Sequence, residues 1–170
     1  MLSETLDNFN ISNIFILSPI KNNLIIDGLF YKLLYSEELY TSNGIYIDIS
    51  MNGGSNLNGR MSYDISKNMN TLRKIYNIER YIFQNILNSE NNKKKIYYKI
   101  SDQFKNGNMK LNHFNNNNNN FNNNNFNNND NNNFILKISG VWENSNSLGI
   151  SFKLIQINKS ASFDIPILID

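Results

Sequence analysis

The residues in this chain whose types and spacing could do chemistry are tyrosines and lysines set close together. Tyr31 and Tyr35 lie either side of Lys32, Tyr63 follows Arg60, and Lys93, Lys94 and Lys95 run into Tyr97 and Lys99. Tyr40, Tyr46 and Tyr98 extend the aromatic set. Proteins that hold single-stranded nucleic acid combine a cationic path for the backbone with aromatic rings on which bases stack. The plainer reading is a β-domain whose tyrosines fill its core while its lysines are solvated. Catalytic constellations are poorer. There is no cysteine, which removes thiolate nucleophiles and thiolate metal sites, and with a single histidine, His113, no two-histidine metal site can form within the chain. Asp27, Asp48, Asp64 and Asp102 are scattered without a motif, and Gly53-Gly54 with Gly59 lacks the lysine and the helix of a phosphate loop. The expectation is a binding protein, not an enzyme, with no cofactor and no metal.

Charge sharpens that expectation. The chain carries a net charge of only +2, yet residues 60–110 hold eleven Lys and Arg against four acids, and the remainder holds five against ten. A basic centre in a near-neutral chain is the footprint of a polyanion site, or simply a solvated face. The 170 residues fit one domain, and 40% hydrophobic content is enough for a core. No apolar run reaches the ~18–20 residues that span a bilayer. Glu4 and Asp7 in the opening segment do not suit a signal peptide, so an intracellular protein without membrane association is expected. Asn, Ile and Lys dominate while Ala161 is the only alanine, a bias that suits an AT-rich genome.

The elements that must position these residues are mostly strands. Short β-branched and aromatic runs at Ile14–Leu17, Leu24–Ile26, Leu29–Tyr35, Leu39–Thr41 and Ile45–Ile49, separated by Asn, Gly, Asp and Pro, predict a meander or small barrel. Asn43-Gly44 predicts a tight hairpin turn, and Asn52-Gly53-Gly54-Ser55 a longer loop. Leu72, Ile75, Tyr76, Ile82, Phe83, Ile86 and Leu87 recur at helical spacing and predict one amphipathic helix over 70–87. Ile96–Ile100 reads as a strand and Gln103–Leu111 as a turn-containing segment. The run 115–133 is nearly all asparagine and is expected to be a disordered insert within a single domain spanning 1–170. Two strong strands close the chain, Phe134–Trp142 and Ile150–Ile157, each with a lysine (Lys137, Lys153) between apolar residues of period two. Glu143–Leu148 is their loop, with Gly149 at its exit. Trp142 is placed with Leu136 and Ile138 on the inward face, a stacking role being the alternative.

Two stretches carry a resemblance. Ser139-Gly140-Val141-Trp142, followed by Leu148-Gly149-Ile150-Ser151-Phe152-Lys153-Leu154-Ile155-Gln156, is similar to the closing hairpin of the OB-fold single-stranded DNA-binding proteins of nucleocytoplasmic giant DNA viruses. These are themselves distantly similar to phage single-stranded DNA-binding proteins. Ile16-Leu17-Ser18-Pro19-Ile20-Lys21-Asn22 resembles the opening of that family. The resemblance implies a mainly β fold: a five-stranded OB-like barrel or related small sandwich with one amphipathic helix. It implies sequence-independent single-stranded DNA binding in viral replication, recombination or repair, at a replication site in the infected cell's cytoplasm or nucleus. RNA is left open as a ligand, and replication proteins are implied as further partners. The residues expected to make the contact are Lys21, Tyr31, Lys32, Tyr35, Arg60, Tyr63, Lys93, Lys94, Lys95, Tyr97, Lys99, Lys137, Trp142 and Lys153. The competing expectation is a structural or protein-interaction module that kept the fold without strong DNA binding.

Overall fold

Alternation and turn chemistry divide the chain into many short strands around one long helix. The computed structural model describes residues 3–25, 27–57, 60–87, 93–110 and 132–156. Among them the chain forms β1 (Glu4–Thr5), β2 (Ile14–Ile16), β3 (Ile20–Asn22), β4 (Gly28–Ser36), β5 (Thr41–Asn43), β6 (Ile45–Met51), β7 (Gly54–Leu57) and β8 (Arg60–Tyr63). There follow α1 (Met69–Ile86), β9 (Lys95–Tyr97), α2 (Lys99–Phe104), β10 (Asn108–Lys110), β11 (Asn132–Glu143) and β12 (Ser147–Gln156). The mainly β class with one long amphipathic helix is therefore as expected. Most of the expected insert, 115–131, lies outside the described residues, but Asn132 and Asn133 open β11 and pair with Met51 and Ser50.

The large sheet is built around β11. Its first half pairs antiparallel with β6, its second half with β4, and its other edge with β12 throughout. β2 and β3 line the far edge of β4, β1 runs parallel to β6, and β9 runs parallel to the start of β12. The sheet is open and does not close into a barrel: β9 covers β12 only from Ser147 to Gly149, and past that point its edge meets no other strand among the described residues. A smaller antiparallel sheet joins β7, β8 and β10.

One face of the large sheet is dry. Ile45, Ile47 and Ile49 alternate inward from β6, Phe134, Leu136 and Ile138 from β11, and Leu148, Ile150 and Leu154 from β12. Ile75, Ile78, Ile82, Phe83 and Ile86 of α1 belong to the same core, which is why the helix needs a 3.6-residue apolar stripe. The opposite face, called the outer face below, carries the alternate residues.

A β-bulge at Ser139 sets which residues reach the outer face. Ile138 pairs with Phe152 and Gly140 with Ser151, so Ser139 is the extra residue. One extra residue exchanges the two faces of everything after it. Val141 and Glu143 thus join Leu136 and Ile138 inside, and Trp142 turns outward. This corrects the expectation that Trp142 shares the face of Leu136 and Ile138, which strict alternation through residue 139 would give.

Gly44 meets this bulge from the neighbouring strand. Asn43-Gly44 is not a hairpin tip: the tip is Glu37–Tyr40, where the Glu37 amide donates to the Tyr40 carbonyl at 2.9 Å, and β5 already pairs back on β4. Gly44, at φ +101°, is where the chain leaves β4 and turns onto β11, and a side chain there would sit 3.0 Å from the Ile138 carbonyl oxygen. Only glycine accepts that conformation without strain. Gly44→Ala is expected to cost about 1–3 kcal/mol, read as a lower urea midpoint.

Three smaller expectations also change. Of the strand expected over Leu24–Ile26, Leu24 and Ile25 do not belong to any strand, and Ile26 lies outside the described residues. The Asn22 side chain accepts from the Leu24 amide at 3.0 Å, the Gly28 amide closes a turn on Ile25, and Leu24 is 96% exposed. Local turn bonds from Asn outweigh the β preference of Leu24 and Ile25. Leu39, also 96% exposed, belongs to the turn before β5. The strand expected over Ile96–Ile100 stops at Tyr97, because Glu79 of α1 accepts the backbone N–H groups of Ile100 and Ser101 and so starts α2.

Candidate nucleic-acid interface

The pairing registers bring residues from five strands into one transverse row on the outer face. Ile20 of β3 pairs with Phe30 of β4, Phe30 with Trp142 of β11, Trp142 with Gly149 of β12, and Gly149 with Tyr97 of β9. Directly paired residues share a face, so Phe30, Trp142 and Tyr97 are aromatic side chains on one surface. Tyr97 is 37% exposed, and its ring centroid lies 6.1 Å from that of Trp142 with a 33° tilt.

Two glycines seat these rings. A Cβ built on Gly149 would come within 2.2 Å of Trp142 Cζ2, and one on Gly140 within 2.5 Å of Phe30 Cζ. The indole therefore lies over the backbone of β12, and the Phe30 ring over that of β11. Gly149 is not the exit of the hairpin loop, as the sequence suggests. It sits inside β12, and the loop is held by Asn144 Oδ1, which accepts from the Asn146 and Ser147 amides at 2.9 and 2.8 Å.

Cations surround the row. Lys99, the first residue of α2, holds its Nζ 5.1 Å from the Trp142 ring, and Lys95 holds its own 4.9 Å from the Tyr97 ring. Each cation–π contact of this kind contributes about 0.5–1 kcal/mol at an exposed site. Lys32 is exposed on the same face, one row along, paired with Gly140. Beyond the bulge a further row holds Tyr46, Lys137 and Lys153, with Lys137 Nζ 5.1 Å from the Tyr46 ring.

Seven of the expected contact residues thus share this face: Lys32, Lys95, Tyr97, Lys99, Lys137, Trp142 and Lys153. The others do not. Tyr35 is buried, its hydroxyl donating to Glu37 at 2.8 Å and accepting from the Asn10 amide at 3.2 Å. Tyr63 is buried beside Phe104, donates to the Phe104 carbonyl, and has its hydroxyl pKa pushed up to about 12 by burial. Both are core residues, as the plainer reading of the tyrosines held. Arg60 is exposed, but on β8 of the smaller sheet. Lys21 alternates to the opposite side of β3 from Ile20, and Lys93 is exposed just before β9 without a contact to the row.

Tyr31 and Lys94 serve Glu143. This carboxylate is turned inward by the bulge and is 3% exposed. Tyr31 Oη donates to its Oε2 at 2.5 Å, and Lys94 forms an ion pair with its Oε1. Burial and then Glu143 push the Tyr31 hydroxyl up to about 12, so it stays a donor. The ion pair fastens the segment that carries Lys95 and Tyr97 to the end of β11. Lys94→Gln should therefore destabilise the fold by about 3 kcal/mol, because it strands a buried charge. Lys93→Gln and Lys95→Gln should each change stability by no more than about 0.5 kcal/mol, and urea titrations of the three variants side by side check this.

Sequence reasoning missed Phe30, Ile20 and the part played by the two seating glycines, and it counted Tyr46 in the aromatic set without naming it as a contact residue. The available signal was Gly140 and Gly149 themselves, since glycine inside a strand pattern marks a bulge or a close approach. Comparison of this chain with protein-family models, with curated proteins and with solved structures finds no match. No helix among the described residues is long and apolar enough to cross a membrane, and no cluster of His, Cys, Asp or Glu there could hold a metal ion.

Proposed function

We propose that this chain binds single-stranded nucleic acid, DNA in the first instance, without sequence preference and on the outer face of its large sheet. The observation that carries the reading is the transverse aromatic row Phe30–Trp142–Tyr97 with Lys95 and Lys99 set against its rings. Bases stack on rings irrespective of identity, and lysines beside them neutralise the phosphates that follow. Binding of this kind is non-enzymatic and needs no cofactor. The OB-like relationship, and with it a place in viral DNA replication, recombination or repair, rests on the similarity in residues 16–22 and 139–156.

The protein holds one tryptophan, and it lies in the row. Titration with a ~30-nucleotide oligo-dT should therefore quench the intrinsic fluorescence, and affinity should fall as salt rises, with a slope of about −0.7 per phosphate contact. If neither quenching nor anisotropy change is seen at low salt and micromolar protein, the reading fails. A protein partner would then be the better account, favoured by Phe15, Leu17 and Ile20, which are 52%, 41% and 49% exposed along the β2–β3 edge of the sheet.

A further inference from the structure

The outer face contains a like-charge pair that the fold does not explain. Lys137 and Lys153 are direct cross-strand partners on β11 and β12, an arrangement that places two ammonium stems about 5 Å apart at Cβ and destabilises a sheet. Among the described residues neither makes an ion pair. Lys137 leans on Tyr46, while Asp48, two residues further along β6 on the same face, forms no salt bridge with either lysine. Such a pair costs stability in the free protein and is relieved when an anion sits across it.

The pair stands in a fixed relation to the aromatic row. From Gly149, under the Trp142 indole, to Lys153 is four residues of one continuous strand, or about 13 Å. Between them lie Lys32 and Ser151, both paired with Gly140. In the transverse direction the row ends at the apolar Ile20 on one side and at Tyr97, with Lys95 and Lys99, on the other. Past the row, the further cations Lys32, Lys137 and Lys153 follow one another along the strands, and the path ends at Asp48.

We infer that a bound single strand lies lengthwise along β11 and β12, its base on the Trp142 row and a phosphate two steps away on the Lys137–Lys153 pair. This rests on the reading proposed above. A single strand drawn out to roughly twice the stacked spacing of about 3.4 Å covers the 13 Å in about two steps. Three nucleotides are then the shortest ligand that engages both ends. A mononucleotide reaches only one, and joining the two contacts in one molecule raises affinity beyond either alone.

The test is a length series of oligothymidylates of one, two, three, six and twelve nucleotides, titrated at low salt against the Trp142 fluorescence of the whole chain. Affinity should rise about tenfold or more between one and three nucleotides and then only slowly. In the double variant Lys137→Gln, Lys153→Gln the ratio of trinucleotide to mononucleotide affinity should fall to about threefold or less. The variant should melt at or above the parent temperature, since the repulsion is gone. A steady rise with length and no break at three, or a ratio that the double variant leaves unchanged, overturns the lengthwise path while leaving single-strand binding intact. If even the ~30-nucleotide strand fails to bind the parent, it is the proposed function that falls.

Discussion

Glu79→Ala is expected to lose about 3–5 kcal/mol of stability, the largest effect of any single substitution considered. Glu79 is fully buried on α1 and accepts three hydrogen bonds from the start of α2: the Ile100 amide at 3.0 Å, the Ser101 amide at 2.9 Å, and the Ser101 hydroxyl. Truncation leaves two backbone donors buried without an acceptor, at about 1–3 kcal/mol each, and opens a cavity beside Ile100 and Phe104. For a domain with total stability of roughly 5–15 kcal/mol that is a large fraction. The loss should also reach the outer face, because Lys99 is positioned by the same turn of α2.

Glu79 also gives the fold a pH dependence of definite sign. Burial raises its pKa above the ordinary carboxylate value, and the three hydrogen bonds only partly offset that, with Asp102 adding to the rise. A carboxyl whose pKa is higher folded than unfolded binds its proton more tightly in the native state. Its contribution is then fully present below the unfolded value and is lost as pH rises through the folded one. Urea midpoints of the parent should thus decline from about pH 4.5 upward on account of this group and level off once it is ionised. Glu79→Gln should remove that decline. A parent midpoint that instead climbs through this range more steeply than that of Glu79→Gln would show that the carboxylate is held by its donors more strongly than burial opposes it.

Trp142→Ala is expected to reduce oligo-dT affinity about 5- to 150-fold, the equivalent of one stacked base at about 1–3 kcal/mol. Its stability cost should stay near 1–2 kcal/mol, below the ~3–5 kcal/mol of an emptied core aromatic site, because the indole lies on the partly exposed outer face. A second variant separates the ring from its seat. Gly149→Ala keeps the tryptophan but places a methyl 2.2 Å from its Cζ2, so the indole must lift away from β12. Its emission should move to the red, and affinity should fall while the melting transition stays cooperative. A Trp142→Ala protein that loses core-like stability yet binds oligo-dT as tightly as the parent would return the residue to a structural role.

What could be read beforehand divides along a physical line. The helix over α1, the pairing of β11 with β12 and the burial of Ile45, Ile47 and Ile49 follow from apolar periodicity, which is a property of neighbouring residues. Of the lysines and aromatic residues singled out by type and spacing, Lys137, Lys153, Tyr97 and Lys99 are among those on the outer face. Tyr35 and Tyr63 did not separate from Tyr97 in the sequence, because a tyrosine's burial is decided by long-range pairing. Lys94 looked equivalent to Lys95, and only the inward turn of Glu143 distinguishes them. The face of Trp142 was missed for the most local reason: the bulge at Ser139 is signalled only by the neighbouring Gly140, and one uncounted residue reverses every assignment beyond it.

That bulge makes Ser139 the one position of β11 that can leave a chain of 170 without disturbing the pattern of the strand. With Ser139 deleted, Ile138 and Gly140 become consecutive partners of Phe152 and Ser151, so Val141 and Glu143 stay inside and Trp142 stays outside. One residue added between Gly140 and Val141, with no second bulge to absorb it, would instead invert Val141, Trp142 and Glu143 as a block. The indole would be driven against the helix-covered side, and the Glu143 carboxylate drawn away from Tyr31 and Lys94. Substitutions along β11 are graded in their consequences, but changes in its length act as a switch, and Ser139 is the spare residue that lets one deletion pass.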